Sequence, residues 1–197
     1  MSKKPYRELP GAKPLVQNNT LVLIAYLPRY FSAEECHRIV KLADTETTHD
    51  GRIGRGIDNQ IRKSEVSYVN PTENSQWVFD KLEHILLDLN EDYRFDLNGF
   101  REGFQVAKYT APGGHYAWHN DIGTGDFSTR KLSMSVQLSE ASDYEGGELE
   151  FADSTAPAPK EIGSLIVFPS YLPHRVHPVT RGVRTSMVSW IAGPAFR

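Results

Sequence analysis

The alternation of apolar and polar residues divides the chain into two parts. Residues 1–19 are polar, contain proline and glycine, and read as an N-terminal arm. "NTLVLIAYL" (19–27) follows, rich in β-branched and aromatic residues, and predicts a strand. In "FSAEECHRIVKLADT" (31–45) the period lengthens to that of a helix, with Ser32 as N-cap and Glu35 three residues on, the pair that makes a capping box. Val78, Leu82, Ile85, Leu86 and Leu89 recur at helical spacing and predict a second helix over 73–89. Between the helices lie a Gly/Arg-rich stretch and a short strand pattern, "SEVSYVN".

After residue 98 the pattern changes to short strands: "FREGFQVAKYT", "RKLSMSVQLS", "GELEFAD", "GSLIVFPS", "RVHPV" and "VRTSMVSWIAG". Their connectors are rich in Gly, Pro, Ser, Asp and Ala. Helices first and many strands afterwards predict an α+β fold with an antiparallel jelly-roll core. No internal boundary resembles a linker, so residues 20–197 read as a single domain.

Composition narrows the setting. The 39% hydrophobic and 24% charged content is that of an ordinary soluble domain, and the longest apolar run, 21–27, is too short to cross a bilayer. The N-terminal residues carry no apolar core of a secretory signal, and the single cysteine, Cys36, excludes an intrachain disulfide; both point to a reducing, cytoplasmic setting. A net charge of −3 offers no general attraction to nucleic acid or to an anionic membrane. Two local imbalances, basic at 49–64 and acidic at 139–154, read first as solvated loops.

Candidate chemistry concentrates in "HYAWHND" (115–121). If "AWHND" ends a strand, His119 and Asp121 project from one face, about 6.6 Å apart along the chain, and converge on one ion while Asn120 points away. The other pairing, His115 with His119 on a helix, is opposed by Pro112, Gly113 and Gly114 just ahead of it and by the lack of an adjacent Glu. A third ligand must come from a distant strand. His174 and His177 are the C-terminal candidates; three residues apart in extended chain, they face opposite ways, and spacing does not choose between them. Arg184, inside the weakly charged strand pattern "VRTSMVSW", shares a face with Ser186, Val188 and Trp190. A guanidinium turned inward there needs a carboxylate, and no protein partner is evident nearby, which leaves a ligand or a solvent-facing arginine.

Taken together, these elements resemble the Fe(II)/2-oxoglutarate-dependent dioxygenases, specifically their prolyl 4-hydroxylase-like branch, over residues 99–193. The family pattern is His-x-Asp, a distal His about fifty residues on, and an Arg or Lys about ten residues later. Here it reads His119-Asn120-Asp121, then 53 residues to His174, then ten to Arg184. "YEGGELEF" and "FPSYLPHRVHPVTRGVR" resemble stretches of the same branch. The resemblance implies a double-stranded β-helix with the N-terminal helices against its major sheet. It selects His174 over His177 and makes His119, Asp121 and His174 the metal ligands and catalytic centre. It also implies that Arg184, Tyr109 and Ser186 hold the co-substrate, and that Tyr116 lines the pocket. Ser133, Ser135 and Gln137 would face the cavity, with Leu132, Met134, Val136 and Leu138 packed outward.

The implied cofactors are Fe(II), 2-oxoglutarate and O2, and the resemblance also admits ascorbate. Two histidines and one carboxylate leave positions of an octahedral Fe(II) open for co-substrate and O2. Because related halogenases lack the carboxylate, Asp121 implies hydroxylation with release of succinate and CO2. The stretch 49–64 sits where this branch carries a lid, with Arg62 and Trp190 as candidate substrate contacts. The substrate expected is an amino acid, a peptidyl (prolyl) group or a small metabolite; no nucleic-acid or membrane partner is expected, and the oligomeric state is left open. Two other readings share the residues: a nucleic-acid demethylase of the same chemistry, which the net charge opposes, and a non-oxygenase jelly-roll, either a 2-oxoglutarate sensor or a cupin-like isomerase.

Overall fold

A computed structural model describes residues 21, 23–51 and 58–195. The N-terminal arm (1–19) lies outside the described residues, as do positions 52–57 of the expected lid. The strands are β1 (Ala25–Leu27), β2 (Thr48–Asp50), β3 (Arg62–Lys63), β4 (Glu65–Val69), β5 (Gly99–Phe100), β6 (Phe104–Thr110), β7 (His115–His119), β8 (Arg130–Gln137), β9 (Tyr144–Gly146), β10 (Leu149–Phe151), β11 (Leu165–Pro169), β12 (His174–Val176) and β13 (Val179–Ala192). The helices are α1 (Ala33–Asp44) and α2 (Gln76–Tyr93).

Two antiparallel sheets face each other in a jelly-roll. The larger runs β1-β11-β8-β13-β6-β4-β2, with β5 and β9 also paired to β13; the smaller runs β10-β12-β7-β3. Strand alternation divides the core in two. Leu132, Met134 and Val136 of β8, Leu165 and Val167 of β11, and Met187 and Ile191 of β13 point away from the smaller sheet. They pack with Cys36 and Ile39 of α1 and Val78, Leu82 and Leu86 of α2. The opposite faces contribute Ala107, Tyr109, Ile166 and Phe168 to a second cluster shared with Leu149, Phe151 and Val176 of the smaller sheet. The helices thus cover the outer face of the larger sheet and leave its inner face to the cavity.

The capping box at α1 is formed, with Ser32 Oγ accepting from the Glu35 N–H and Glu35 Oε2 accepting from the Ser32 N–H. Two element boundaries differ from the sequence reading. The first strand is short: only 25–27 pair with β11, and positions 19, 20 and 22 lie outside the described residues. The second helix begins at Gln76 rather than Glu73 and runs on to Tyr93. Its start is delayed because Ser75 Oγ is committed to the preceding turn, donating to the Asn70 carbonyl and accepting from the Thr72 N–H. Its end is extended because Tyr93 is buried, with its hydroxyl donating to the Val167 carbonyl, and Arg94 then takes the left-handed conformation that stops the helix. No helix among the described residues is long and apolar enough to cross a membrane.

Candidate active site

Antiparallel register builds the site. His119 closes β7 directly opposite His174, which opens β12, and Asp121 follows two residues beyond the strand end. The Asp121 N–H donates to the Ser170 carbonyl at 2.8 Å, which ties the turn carrying the carboxylate to the end of β11. Asp121 Oδ1 lies 3.9 Å from His119 Nε2, and Oδ2 lies 3.7 Å from His174 Nε2. All three donor atoms fall within 4.8 Å of one another, close enough to converge on one ion.

Hydrogen bonds orient each donor. His119 Nδ1 meets the Ala117 carbonyl at 2.8 Å and His174 Nδ1 meets the Leu172 carbonyl at 2.9 Å. A carbonyl only accepts, so each Nδ1 carries the proton and each Nε2 turns its lone pair to the centre. Burial, and secondarily the His174 charge, pulls the His119 imidazole down to about 4, so the ring is neutral at neutral pH, as a ligand must be. Burial acts the other way on Asp121, but His174, His119 and a hydrogen bond from Ser133 outweigh it and hold the carboxyl below its ordinary range. That bond, Ser133 Oγ to Asp121 Oδ2, is 2.6 Å, and Ser170 Oγ stands 2.9 Å from Ser133. Tyr116 stacks on the His119 ring at 3.4 Å between centroids, and the Phe168 ring meets His174 edge-on at 4.8 Å.

Deeper in the cavity lies Arg184, only 1% exposed. Its Nη2 donates to Gln137 Oε1 at 3.0 Å and its Nη1 to Ser186 Oγ at 3.3 Å, while its buried Nε–H has no hydrogen-bond partner. Among the described residues no carboxylate pairs with it. Tyr109, paired in register with Arg184, places its ring 5.4 Å from the guanidinium carbon. Gly147, at φ +67°, lies against the arginine stem; a Cβ there would stand 3.0 Å from Arg184 Cδ. Tyr144 belongs to the same corner: burial pushes its hydroxyl up, and the neighbouring Arg184 guanidinium pulls it back down. A buried cation with an unspent donor and no counter-ion among the described residues suits an anion.

His119, Asp121, His174, Arg184, Tyr109, Ser186, Tyr116, Arg62 and Trp190 all line one cavity of about 750 Å³. His115 does not join them; its ring nitrogens meet the Gly113 and Gln60 carbonyls. His177 faces away and pairs with Glu150, which also accepts from Arg175. Sequence reasoning missed Arg130 and Glu102. The Arg130 guanidinium forms a two-pronged pair with Glu102 (2.7 and 2.5 Å), donates to the Asp121 carbonyl at 3.1 Å, and lies 3.7 Å over the Trp190 ring. It also missed Gln105, on the same face of β6 as Tyr109, and Tyr68, paired with Gln105 in register.

Residues 104–192 match the family model described as the 2OG-Fe(II) oxygenase superfamily. A PKHD-type hydroxylase of a Picosynechococcus strain is 40% identical over 167 residues, 84% of this chain and 76% of that protein. With a PKHD-type hydroxylase of Idiomarina loihiensis the match is shorter, 34% over 93 residues, and spans 43% of that protein. A Trichoplax adhaerens prolyl hydroxylase, solved with a hypoxia inducible factor peptide fragment, shares the fold at a TM-score of 0.72 and 17% identity, over 86% of this chain and 83% of that one. The chain belongs to the 2OG-Fe(II) oxygenase superfamily, among PKHD-type hydroxylase relatives.

Proposed function

We propose that the protein is an Fe(II)- and 2-oxoglutarate-dependent hydroxylase of a small or peptidyl substrate. The observation that carries this reading is one cavity holding a His-Asp-His set and, beyond it, a buried arginine with no carboxylate partner among the described residues. His119, Asp121 and His174 would hold the iron. Iron bound there supplies the coupling of O2 to oxidative decarboxylation of 2-oxoglutarate, giving succinate and CO2 and placing one oxygen atom in a substrate C–H bond. Arg184, with Ser186 and Gln137 fixing its plane, would hold the distal carboxylate of the co-substrate, and Tyr109 would close the same corner. Ser133 keeps Asp121 oriented and ionised. The phenyl rings of Phe151 and Phe168 pack against His174. The carboxylate of Asp121 favours hydroxylation over halogenation. Ascorbate would serve as an auxiliary reductant, and one buried, unpaired cysteine suits a cytoplasmic setting. The substrate class is an amino acid, a peptidyl (prolyl) residue or a small metabolite.

The test is succinate release from 2-oxoglutarate by the Fe(II)-loaded protein under O2. His174→Ala is expected to abolish it and His177→Ala to leave it largely intact, because His177 faces Glu150 on the outside of the smaller sheet. Tight Fe(II) and 2-oxoglutarate binding with no succinate under any condition would instead indicate a sensor.

A further inference from the structure

Among the described residues three arginines line the cavity, and their charges are handled differently. Arg130 is 8% exposed and is neutralised by Glu102 through two hydrogen bonds. Arg184, 1% exposed, has no acidic partner among the described residues and is the one proposed above for the co-substrate. Arg62 is 5% exposed, lies on the cavity wall, and has no acidic partner among the described residues. Its only side-chain hydrogen bonds there are neutral: Nε donates to Ser64 Oγ at 2.8 Å and Nη2 to Gln105 Oε1 at 2.7 Å. Nor can residues 52–57 supply an acid, since that stretch reads Arg-Ile-Gly-Arg-Gly-Ile.

A cation–π contact with Tyr116, at 4.7 Å, offsets part of the cost of burying this charge. Burying an ion without a counter-charge still costs several kcal/mol in general, and the same cavity shows at Arg130 how such a charge is settled when no ligand is needed. The Arg62 side chain is also held in place. Gly51 leaves room for it, since a Cβ there would fall 2.7 Å from Arg62 Nε. The amide of Gln105 is oriented at both ends, accepting from Arg62 and donating to the Tyr68 hydroxyl at 2.7 Å. The phenolic oxygen of Tyr68 thus acts as acceptor, and its own proton is left to give.

We infer that Arg62, with Tyr68 beside it, is a second carboxylate-binding corner, and that the molecule oxidised carries a free carboxylate. This rests on the hydroxylase reading, because it assigns Arg184 to the co-substrate and so leaves Arg62 to the substrate. The stack sets the scale: one ring, Tyr116, separates the Arg62 guanidinium from His119. The carboxylate therefore sits a few bonds from the carbon attacked, which selects a compact acid, a free amino acid or its N-acyl derivative, over the interior of a peptide.

The test compares acids with their own amides. Protein loaded with Fe(II) and 2-oxoglutarate is offered the common L-amino acids, N-acetyl-L-proline and the carboxamide of each, with succinate and oxygenated product as readouts. In parallel, saturation-transfer NMR measures binding of N-acetyl-L-proline and N-acetyl-L-prolinamide to the Zn(II)-substituted protein with 2-oxoglutarate. The acid is expected to exceed its amide by about 10- to 100-fold, the worth of one charge-assisted hydrogen-bonded contact. Arg62→Gln should bring that ratio to about one, and Arg62→Lys should keep part of it, since a point charge replaces the fork. Equal responses to acids and amides in the wild type, including no response to either, overturn the inference, as does Arg62→Gln retaining the preference. The wild-type comparison stands even if a variant fails to fold. If the acid preference appears in binding while 2-oxoglutarate is never turned over, the corner stands and the hydroxylase reading fails.

Discussion

On the central strands β8 and β13 the two faces of the larger sheet are both buried and differ in chemistry. On β8, Leu132, Met134 and Val136 turn to the helices, while Ser133, Ser135 and Gln137 turn to the cavity, and every one of the six is buried. On β13, Met187 and Ile191 stand against Arg184, Ser186 and Trp190 in the same way. Burial does not distinguish the faces; the partner does. The helix side meets apolar surface and returns stability by leaving water. The cavity side meets polar groups and keeps donors and charges unspent. A fold this size can carry those costs because the outer face does not share them.

The largest expected effect breaks the stabilising face alone. Leu132→Ala removes a fully buried side chain from the helix-facing cluster and should cost about 2–5 kcal/mol, read as a lower denaturant midpoint. Its kcat per folded molecule should match the wild type. A matching loss of kcat would show that the two faces are not separable.

Next comes the reverse experiment. Arg184→Leu should raise the KM for 2-oxoglutarate by about 10- to 100-fold through loss of a charge-assisted pair. The ligand-free protein should unfold no earlier than the wild type, because the change removes a buried cation that no carboxylate among the described residues balances. A large drop in stability together with an unchanged KM would reverse the roles assigned to the faces.

The same contrast explains what was legible in the sequence. Strands with one apolar face, and a helix with a capping box, announce themselves by period. The helix-facing residues of β8 and the capped start of α1 lie where the pattern places them. Arg184 was conspicuous because it breaks an apolar strand. Arg130 was not, since a cation at the first position of a strand, beside Lys131, reads as solvent-facing until Glu102 and Trp190 are folded against it. Glu102, Gln105 and Tyr68 were hidden for a similar reason. Their partners are 28, 43 and 37 residues away in the chain, and no local spacing encodes such pairs. The start of α2 was misread because Ser75 serves the turn before it instead of the helix after it.

A smaller effect tests how the polar face supports the metal ligands. Ser133→Ala removes the 2.6 Å hydrogen bond to Asp121 and should weaken metal binding by about 10- to 100-fold in a titration. The sign of the pH effect follows from the same bond. Ser133 helps hold the Asp121 carboxyl below its ordinary range, so its loss lets that value rise, and metal binding should fail at a higher pH than in the wild type as acid is added. An unshifted acid limb would mean that His174 and His119 alone keep the carboxylate ionised.

The smallest effect lies at the capping box, on the side of the sheet that the helices cover. Ser32→Ala should cost about 1 kcal/mol by leaving the Glu35 N–H without its side-chain acceptor. Part of that cost should fade in acid, because the Ser32 side chain also helps hold the Glu35 carboxyl down. Burial pushes that carboxyl up, but hydrogen bonds from Lys81 and Ser32 and the Lys81 charge outweigh burial and hold it below the ordinary 4.5. A depressed acid stabilises the fold above its unfolded value and loses that contribution as pH falls through its folded value. The gap between wild type and Glu35→Gln should therefore be full well above pH 4.5 and close as the solution is made more acidic, whereas the gap for Ser32→Ala should narrow only in part, since its bond to the Glu35 N–H does not titrate. Both variants should turn over 2-oxoglutarate as the wild type does, since the cap contacts α2 and not the cavity. A capping variant that altered that turnover would show that strain on the outer face reaches the inner one through β8 and β13.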